Sequence, residues 1–289
     1  MLNSCLAALS REGVDAIVVD NASSDDTAAI AAKAGARLIR NARNEGYGRA
    51  MNIGLAAANS RLCLLLNPDL VLEQGSITAL LAAAGSYPDA AMLAPRIVEP
   101  DGRLFFQARS LLSPYLANPS GKPCKPVGDC CAPFLSGACL LVRRELILSL
   151  EGFDSEIFLF YEDDDLCRRV IEAGYSLVHV DAAQARHVRG GSSARRKGSV
   201  FTARWHLAWS AGYVTRKYRL ADPSWRTLIV NALKFCGAAA SLDRWRIERY
   251  GGSAAGAFAW LTGRSALARQ GLSREMGLSR EAGLSRGTP

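Results

Sequence analysis

Four stretches of this 289-residue chain carry side chains whose types and spacing suit chemistry. The densest is Glu162-Asp163-Asp164-Asp165, which follows the apolar run Phe158-Leu159-Phe160-Tyr161. Adjacent carboxylates repel one another, and a helix N-terminus offsets part of that cost. On a helix Asp163 and Asp165 do not share a face, so one could accept a proton while another holds local structure. Asn67-Pro68-Asp69 ends an apolar run, where a carboxylate suits a hard cation that bridges diphosphate oxygens; the same residues also suit an ordinary strand-ending turn. His187 precedes Val188-Arg189-Gly190-Gly191-Ser192-Ser193, a place for a metal-ligating imidazole beside phosphate-holding backbone N–H groups. The fourth stretch runs from Asn44-Glu45-Gly46-Tyr47 to Asn52-Ile53-Gly54. Its glycines permit close approach or positive φ, but it does not follow a strand directly as a dinucleotide-binding G-x-G-x-x-G does. His179 reads as a core histidine and His206 as structural or interfacial.

These residues need a frame. Strands are expected at Val14–Asp20, Ala36–Arg40, Leu62–Leu66, Gly137–Val142 and Leu177–Val180, where apolar residues run together. Helices are expected over Asn3–Arg11, from Asp25-Asp26 to Lys33, and over Gly48–Asn59, Ser76–Ala84, Arg143–Leu150 and Asp163–Ala173, with Gly35 and Gly174 as stops. Such alternation argues for βαβ units and a parallel sheet buried on both faces, with ligands at the carboxyl ends of its strands. Asp20-Asn21, the loop from Asn41 to Tyr47, and Asn67-Pro68-Asp69 all stand at such ends. Residues 95–135, rich in Pro, Gly and Cys, read as an irregular excursion. From Ser199 the pattern is helical and basic. Gly-Leu-Ser-Arg-Glu recurs at 271–275 and 277–281, followed by Gly-Leu-Ser-Arg at 283–286, and is expected to be a disordered tail.

Charge is unevenly distributed. Residues 1–185 hold 16 Lys and Arg against 22 Asp and Glu, whereas residues 186–289 hold 19 against 5. A basic C-terminal part points to an anionic surface such as membrane lipid, nucleic acid or a phosphorylated substrate, or to a solvated face. The eight cysteines include no C-x-x-C pair and several sit in apolar runs, as expected of small buried hydrophobes in a reducing compartment. No signal peptide and no uncharged run of spanning length is visible, so a cytoplasmic protein that touches a membrane is expected.

Taken in order, the segments resemble glycosyltransferase family 2, in its rhamnosyltransferase-like branch. The matching pieces are Val18-Val19-Asp20-Asn21-Ala22-Ser23-Ser24-Asp25, Asn44–Gly54, Leu64-Leu65-Leu66-Asn67-Pro68-Asp69, Ser136-Gly137-Ala138, Gly152-Phe153-Asp154, Phe160 to Arg169, and His187 with Gly190-Gly191-Ser192. They cover about residues 1–215. The resemblance implies the α/β GT-A fold, a Rossmann-like, mostly parallel sheet flanked by helices, here with a basic amphipathic helical extension over 216–265 and a tail over 266–289. It implies an inverting transferase that moves a sugar, rhamnose by analogy, from a dTDP- or UDP-sugar donor to a hydroxyl of a glycan or lipid-linked acceptor in cell-surface polysaccharide synthesis. Asp163 would be the general base, and Asp69 and His187 would ligate Mg²⁺ or Mn²⁺. Asp20, Asn21, Asn44, Gly46, Asn52, Asn67 and Arg189 would contact the donor, and Glu162 and Asp165 the acceptor or local structure. The first acid of the family's metal motif is Asn67 here. Family members open with an apolar strand before the helix with which this chain starts, and that strand is expected near the middle of the sheet. The inner face of the plasma membrane is the expected location.

Two other readings stay open at this level. One is a nucleotide-sugar-binding remnant without turnover; the other is a metal-dependent phosphoryl or nucleotidyl transferase. A nucleic-acid partner is not expected, because the basic part lacks a recognition module.

Overall fold

In the computed structural model, which describes residues 1–106, 112, 126–187 and 198–273, strands and helices alternate through the first part of the chain. The order is α1 (Leu2–Arg11), β1 (Ile17–Asp20), α2 (Thr27–Lys33), β2 (Arg37–Arg40), α3 (Tyr47–Ala57), β3 (Leu62–Leu66), β4 (Leu70–Leu72) and α4 (Ser76–Ser86). There follow β5 (Ala90–Val98), β6 (Leu104–Phe105), β7 (Cys130–Cys131), β8 (Cys139–Arg143), α5 (Arg144–Ser149), α6 (Glu162–Glu172) and β9 (Ser176–His187). The helices α7 (Ser199–Lys217), α8 (Ser224–Ala240), α9 (Arg244–Leu261) and α10 (Ala266–Arg269) complete the described chain.

The architecture is α/β, a central sheet flanked by helices. Seven strands form that sheet along the path β3-β8-β5-β9-β4, with β6 on β5 and β7 on β9. Parallel pairing is confined to β1–β2 and β5–β9; the other described ladders are antiparallel. Parallel neighbours need a long crossover, whereas β6 returns onto β5 through a tight turn at Gly102. β1 pairs only with β2, and β3 only with β8. One edge of each thus has no strand neighbour among the described residues, and most of their side chains are half-buried. This differs from the enclosure on both faces that their continuous apolar runs suggested. Cys5, Leu6 and Leu9 of α1 pack in one cluster with Val18, Leu64, Leu66, Leu70 and Leu72.

Two strands exceed expectation. β5 occupies residues 90–98, partly within the stretch read as irregular, and pairs with three other strands. Pro95 hid it, because a proline has no donor for a ladder; the register with β9 slips between Pro95 and Arg96, which accommodates it. β9 runs twelve residues instead of four and ends at His187.

The C-terminal helices form a layer that begins at Ser199, so the border at 215/216 falls inside α7. Trp205 and Trp209 of α7 pack with Ala259 and Trp260 of α9. Gly252 and Gly256 lie so close to the backbone of Phe201 and Trp205 that any Cβ there would collide with it. Residues 266–273, expected in the tail, are placed: Leu267 and Leu272 pack on Phe158, and Arg43 and Arg49 donate to the carbonyls of Gly271 and Ser273. Among the described residues no helix is long and apolar enough to cross a membrane.

Candidate functional site

At the end of β1, Asp20 is buried. Its Oδ1 accepts from the Ser23 N–H at 2.8 Å and its Oδ2 from Arg40 Nε at 3.2 Å. Asn21 braces the loop that follows β2: its Nδ2 donates to the Gly46 carbonyl at 2.9 Å, and its Oδ1 accepts from Asn41 Nδ2 at 2.8 Å and the Glu45 N–H at 3.1 Å. Asn44 accepts from the Gly46 N–H at 3.0 Å. Gly46 sits at φ +89°, and a Cβ there would strike the Phe158 carbonyl, so only glycine fits. Asn52 of α3 clasps Phe153, accepting from its N–H and donating to its carbonyl, each at 2.8 Å. These residues hold the loops beside the cavity in place; of Asp20, Asn21, Asn44, Gly46 and Asn52, none lines the cavity described below.

The second group is assembled by strand register. Leu70 of β4 stands opposite His187 of β9, which brings Asp69 to the imidazole; Val98 of β5 stands beside Arg186, which brings Glu99 to its other side. His187 Nε2 lies 3.2 Å from Asp69 Oδ2, and Nδ1 lies 3.5 Å from Glu99 Oε1. Asn67 leads into the same corner, its N–H donating to Ala138 at 2.9 Å. Two carboxylates and an imidazole are donors of the type Mg²⁺ and Mn²⁺ accept. Among the described residues no set of three or more His, Cys, Asp or Glu side chains is arranged to hold an ion unaided. Asp69 and His187 can supply two positions of a shell that substrate oxygens and water complete. Glu99 carried no signal in the sequence, since nothing there shows that β5 ends beside β9. Arg189 lies outside the described residues.

The third group is the start of α6. Phe160 and Tyr161 both have φ +69°, a left-handed conformation costly for aromatic residues, and this kink turns Glu162 and Asp163 inward. Asp163 Oδ2 accepts from the Gly137 N–H at 3.1 Å and Oδ1 from the Asp164 N–H at 3.0 Å. Burial raises the Asp163 carboxyl above its ordinary range although these N–H donors favour the anion. Glu162 is buried, and its Oε2 has no hydrogen-bond partner among the described residues. Burial first, then the charges of Asp163 and Asp164, push it up to about 8. Tyr47 donates to the Gly137 carbonyl, closing the corner. Asp165 faces away and is buried: Arg169 Nε, Lys217 Nζ and the Tyr218 hydroxyl bond to it at 2.8, 2.6 and 2.7 Å. Both Asp165 oxygens are engaged by these partners.

The Glu162 shift has a consequence for stability. The folded state holds this proton more tightly than the unfolded chain, whose ordinary value is 4.5. The stability the group contributes is therefore full below that value and lost as pH rises through about 8. Glu162→Gln is expected to raise the Tm above that of the parent by at least about 4 °C at alkaline pH, with the gain vanishing in acid; thermal unfolding against pH checks it.

The second and third groups meet. A cavity of about 300 Å³ is lined by Asn67, Glu99, Ser136, Gly137, Glu162, Asp163 and His187, with Tyr47, Ile97, Phe105, Ala138, Leu159 and Phe160 as further wall. A hollow of about 510 Å³ along Glu99–Phe106 adjoins it through Glu99 and Phe105. A carboxylate held by backbone N–H groups thus shares one cavity with a cation-suited corner.

Comparison with known proteins gives these residues a context. The model of the family "Glycosyl transferase family 2" matches residues 1–150. The chain is 32% identical over 243 residues to the N-acetylglucosaminyl-diphospho-decaprenol L-rhamnosyltransferase of Mycobacterium tuberculosis, covering 68% of this chain and 76% of that protein. It is 33% identical over 94 residues to the rhamnosyltransferase WbbL of Escherichia coli K12, covering 32% and 35% of the two chains. Among solved structures, the mannosyltransferase PcManGT of Pyrobaculum calidifontis, in complex with GDP-Man and Mn²⁺, superposes with a TM-score of 0.54 at 14% identity over 91% of this chain and 84% of that one.

Proposed function

From the premise that the chain belongs to glycosyltransferase family 2, in its rhamnosyltransferase-like branch, and is thereby a sugar-transferring enzyme, we propose that it transfers a sugar with inversion from a nucleotide-diphosphate donor to an acceptor hydroxyl. The observation that carries this reading is the shared cavity, with Asp163 on one wall and Asn67 and His187 on another. Asp163 accepts the acceptor's proton as the oxygen attacks the anomeric carbon from the face opposite the diphosphate, so the configuration inverts in one displacement. The Gly137 N–H fixes that carboxylate in place, and the raised Glu162 carboxyl keeps a second negative charge away from it at neutral pH. Asp69 and His187 would hold Mg²⁺ or Mn²⁺, which would supply positive charge to offset that of the leaving diphosphate. Asn21 and Gly46 shape the nucleotide side by bracing its loop.

The rhamnosyltransferase relatives support rhamnose as the sugar and a dTDP- or UDP-linked donor, and the decaprenol-linked substrate in the name of one of them supports a lipid-linked acceptor in cell-surface polysaccharide synthesis. Such an acceptor supports a position at the inner face of the plasma membrane. Calorimetry of dTDP and UDP with and without Mn²⁺ tests the donor side. Binding is expected to need the ion and to fall at least about tenfold in Asp69→Ala, a loss of about 1.4 kcal/mol. Ion-independent binding, unchanged in that variant, would remove Asp69 from the role.

A further inference from the structure

Helix α8 carries large apolar side chains on its outward side as well as on the side packed against the protein. The side it turns toward the protein carries Ser224 and Ala238, both buried, with Thr227, Leu228 and Asn231 half-buried and the Phe235 ring against Gly251 of α9. The side it turns outward carries Trp225, Ile229 and Leu233, 65%, 56% and 70% exposed. Those three recur every four residues and so form one stripe. At the turn into α9, Leu242 and Trp245 are also exposed, at 82% and 54%. Water contact on so many large apolar side chains is unfavourable, and contiguous apolar surface of this kind marks a binding face.

The charges around the stripe select the occupant. Residues 216–265 hold nine Lys and Arg against three Asp and Glu. Arg226 and Lys234 flank the stripe on α8, and Arg244 and Arg246 stand beside Trp245, all exposed. A second copy docked through the same face by a two-fold axis would bring these like charges against their own counterparts. An anionic bilayer meets both features at once: phospholipid headgroups attract the rim, while the stripe enters the acyl boundary. A helix of 17 residues flanked by charge lies on such a surface and does not cross it.

We infer that the outward face of α8, with the α8–α9 corner, docks the enzyme onto anionic phospholipid. The inference rests on the peripheral position proposed above and assigns it to particular residues, none of which lines the cavity. Flotation of the full chain with phosphatidylcholine vesicles, with and without phosphatidylglycerol, tests it. Binding is expected only with the anionic lipid, to weaken with salt, and to fall at least about tenfold in the double variant Ile229→Glu/Leu233→Glu. The rim variant Arg226→Glu/Lys234→Glu is expected to lose a comparable factor, since each basic residue near the surface contributes about 1 kcal/mol, or roughly fivefold. All four side chains are exposed, so both variants retain the fold, which circular dichroism verifies. Undiminished flotation of either variant, absence of binding by the parent, or a dimer that Ile229→Glu/Leu233→Glu dissociates would each overturn the inference. Donor binding is read on the same samples: its loss in the parent counts against sugar transfer, whereas flotation alone decides the docking face.

Discussion

Asp163→Asn is expected to lower kcat by about 10²- to 10⁴-fold, the range that general base catalysis contributes. Nucleotide affinity should change little. The substitution keeps the size of the side chain and one oxygen for the Gly137 N–H, gives up the acceptor for the Asp164 N–H, and takes away the basicity. The acceptor hydroxyl must then lose its proton to water, a far weaker base than a carboxylate. Release of nucleoside diphosphate measures turnover, and calorimetry on the same preparation measures donor binding. Loss of kcat with binding retained is the signature of a group that acts in the transition state. Near-normal turnover would take the role from Asp163 and leave Glu162, the adjacent carboxyl in the cavity wall, to be tested in its place.

Asp165→Ala is expected to act on stability instead, with a loss of about 3–5 kcal/mol, because it removes one partner of a buried charge network and strands the others. Asp165 is fully buried and receives Arg169 from its own helix, and Lys217 and Tyr218 from the end of α7. Lys217 retains Asp154, but Arg169 keeps only the carbonyls of Leu150 and Gly152. The network links α6 to the C-terminal layer. Denaturant unfolding followed by tryptophan fluorescence measures the loss, since Trp205 and Trp209 lie on the helix that Asp165 anchors. A loss under about 1 kcal/mol would mean that the network behaves like a surface ion pair. Two residues apart in sequence, Asp163 and Asp165 thus answer to different assays, as their places on one helix require.

Much of this protein was legible from local sequence. Apolar runs at Leu62–Leu66 and Cys139–Arg143, and the helices at Thr27–Lys33, Tyr47–Ala57 and Glu162–Glu172, follow from patterns a few residues long, and they appear within a few residues of their expected bounds. The ordered motifs identified the family, and the acidic start of α6 already separated Asp163 from Asp165. Tertiary structure decided the rest. Pro95 argues locally against a strand, yet β5 forms because three other strands pair with it and a register slip accommodates the proline. Glu99 reaches His187 only because β5 and β9 run parallel in the observed register. The resemblance implies donor contacts for Asn21 and Asn52, and only the tertiary fold shows which loops their amides hold. The outward stripe of α8 has the spacing of an ordinary core-facing helix, and only its docking on α9 through the opposite side shows which face is left to meet something else. Periodicity fixes which residues share a face; which face is buried depends on neighbours that are distant in the chain.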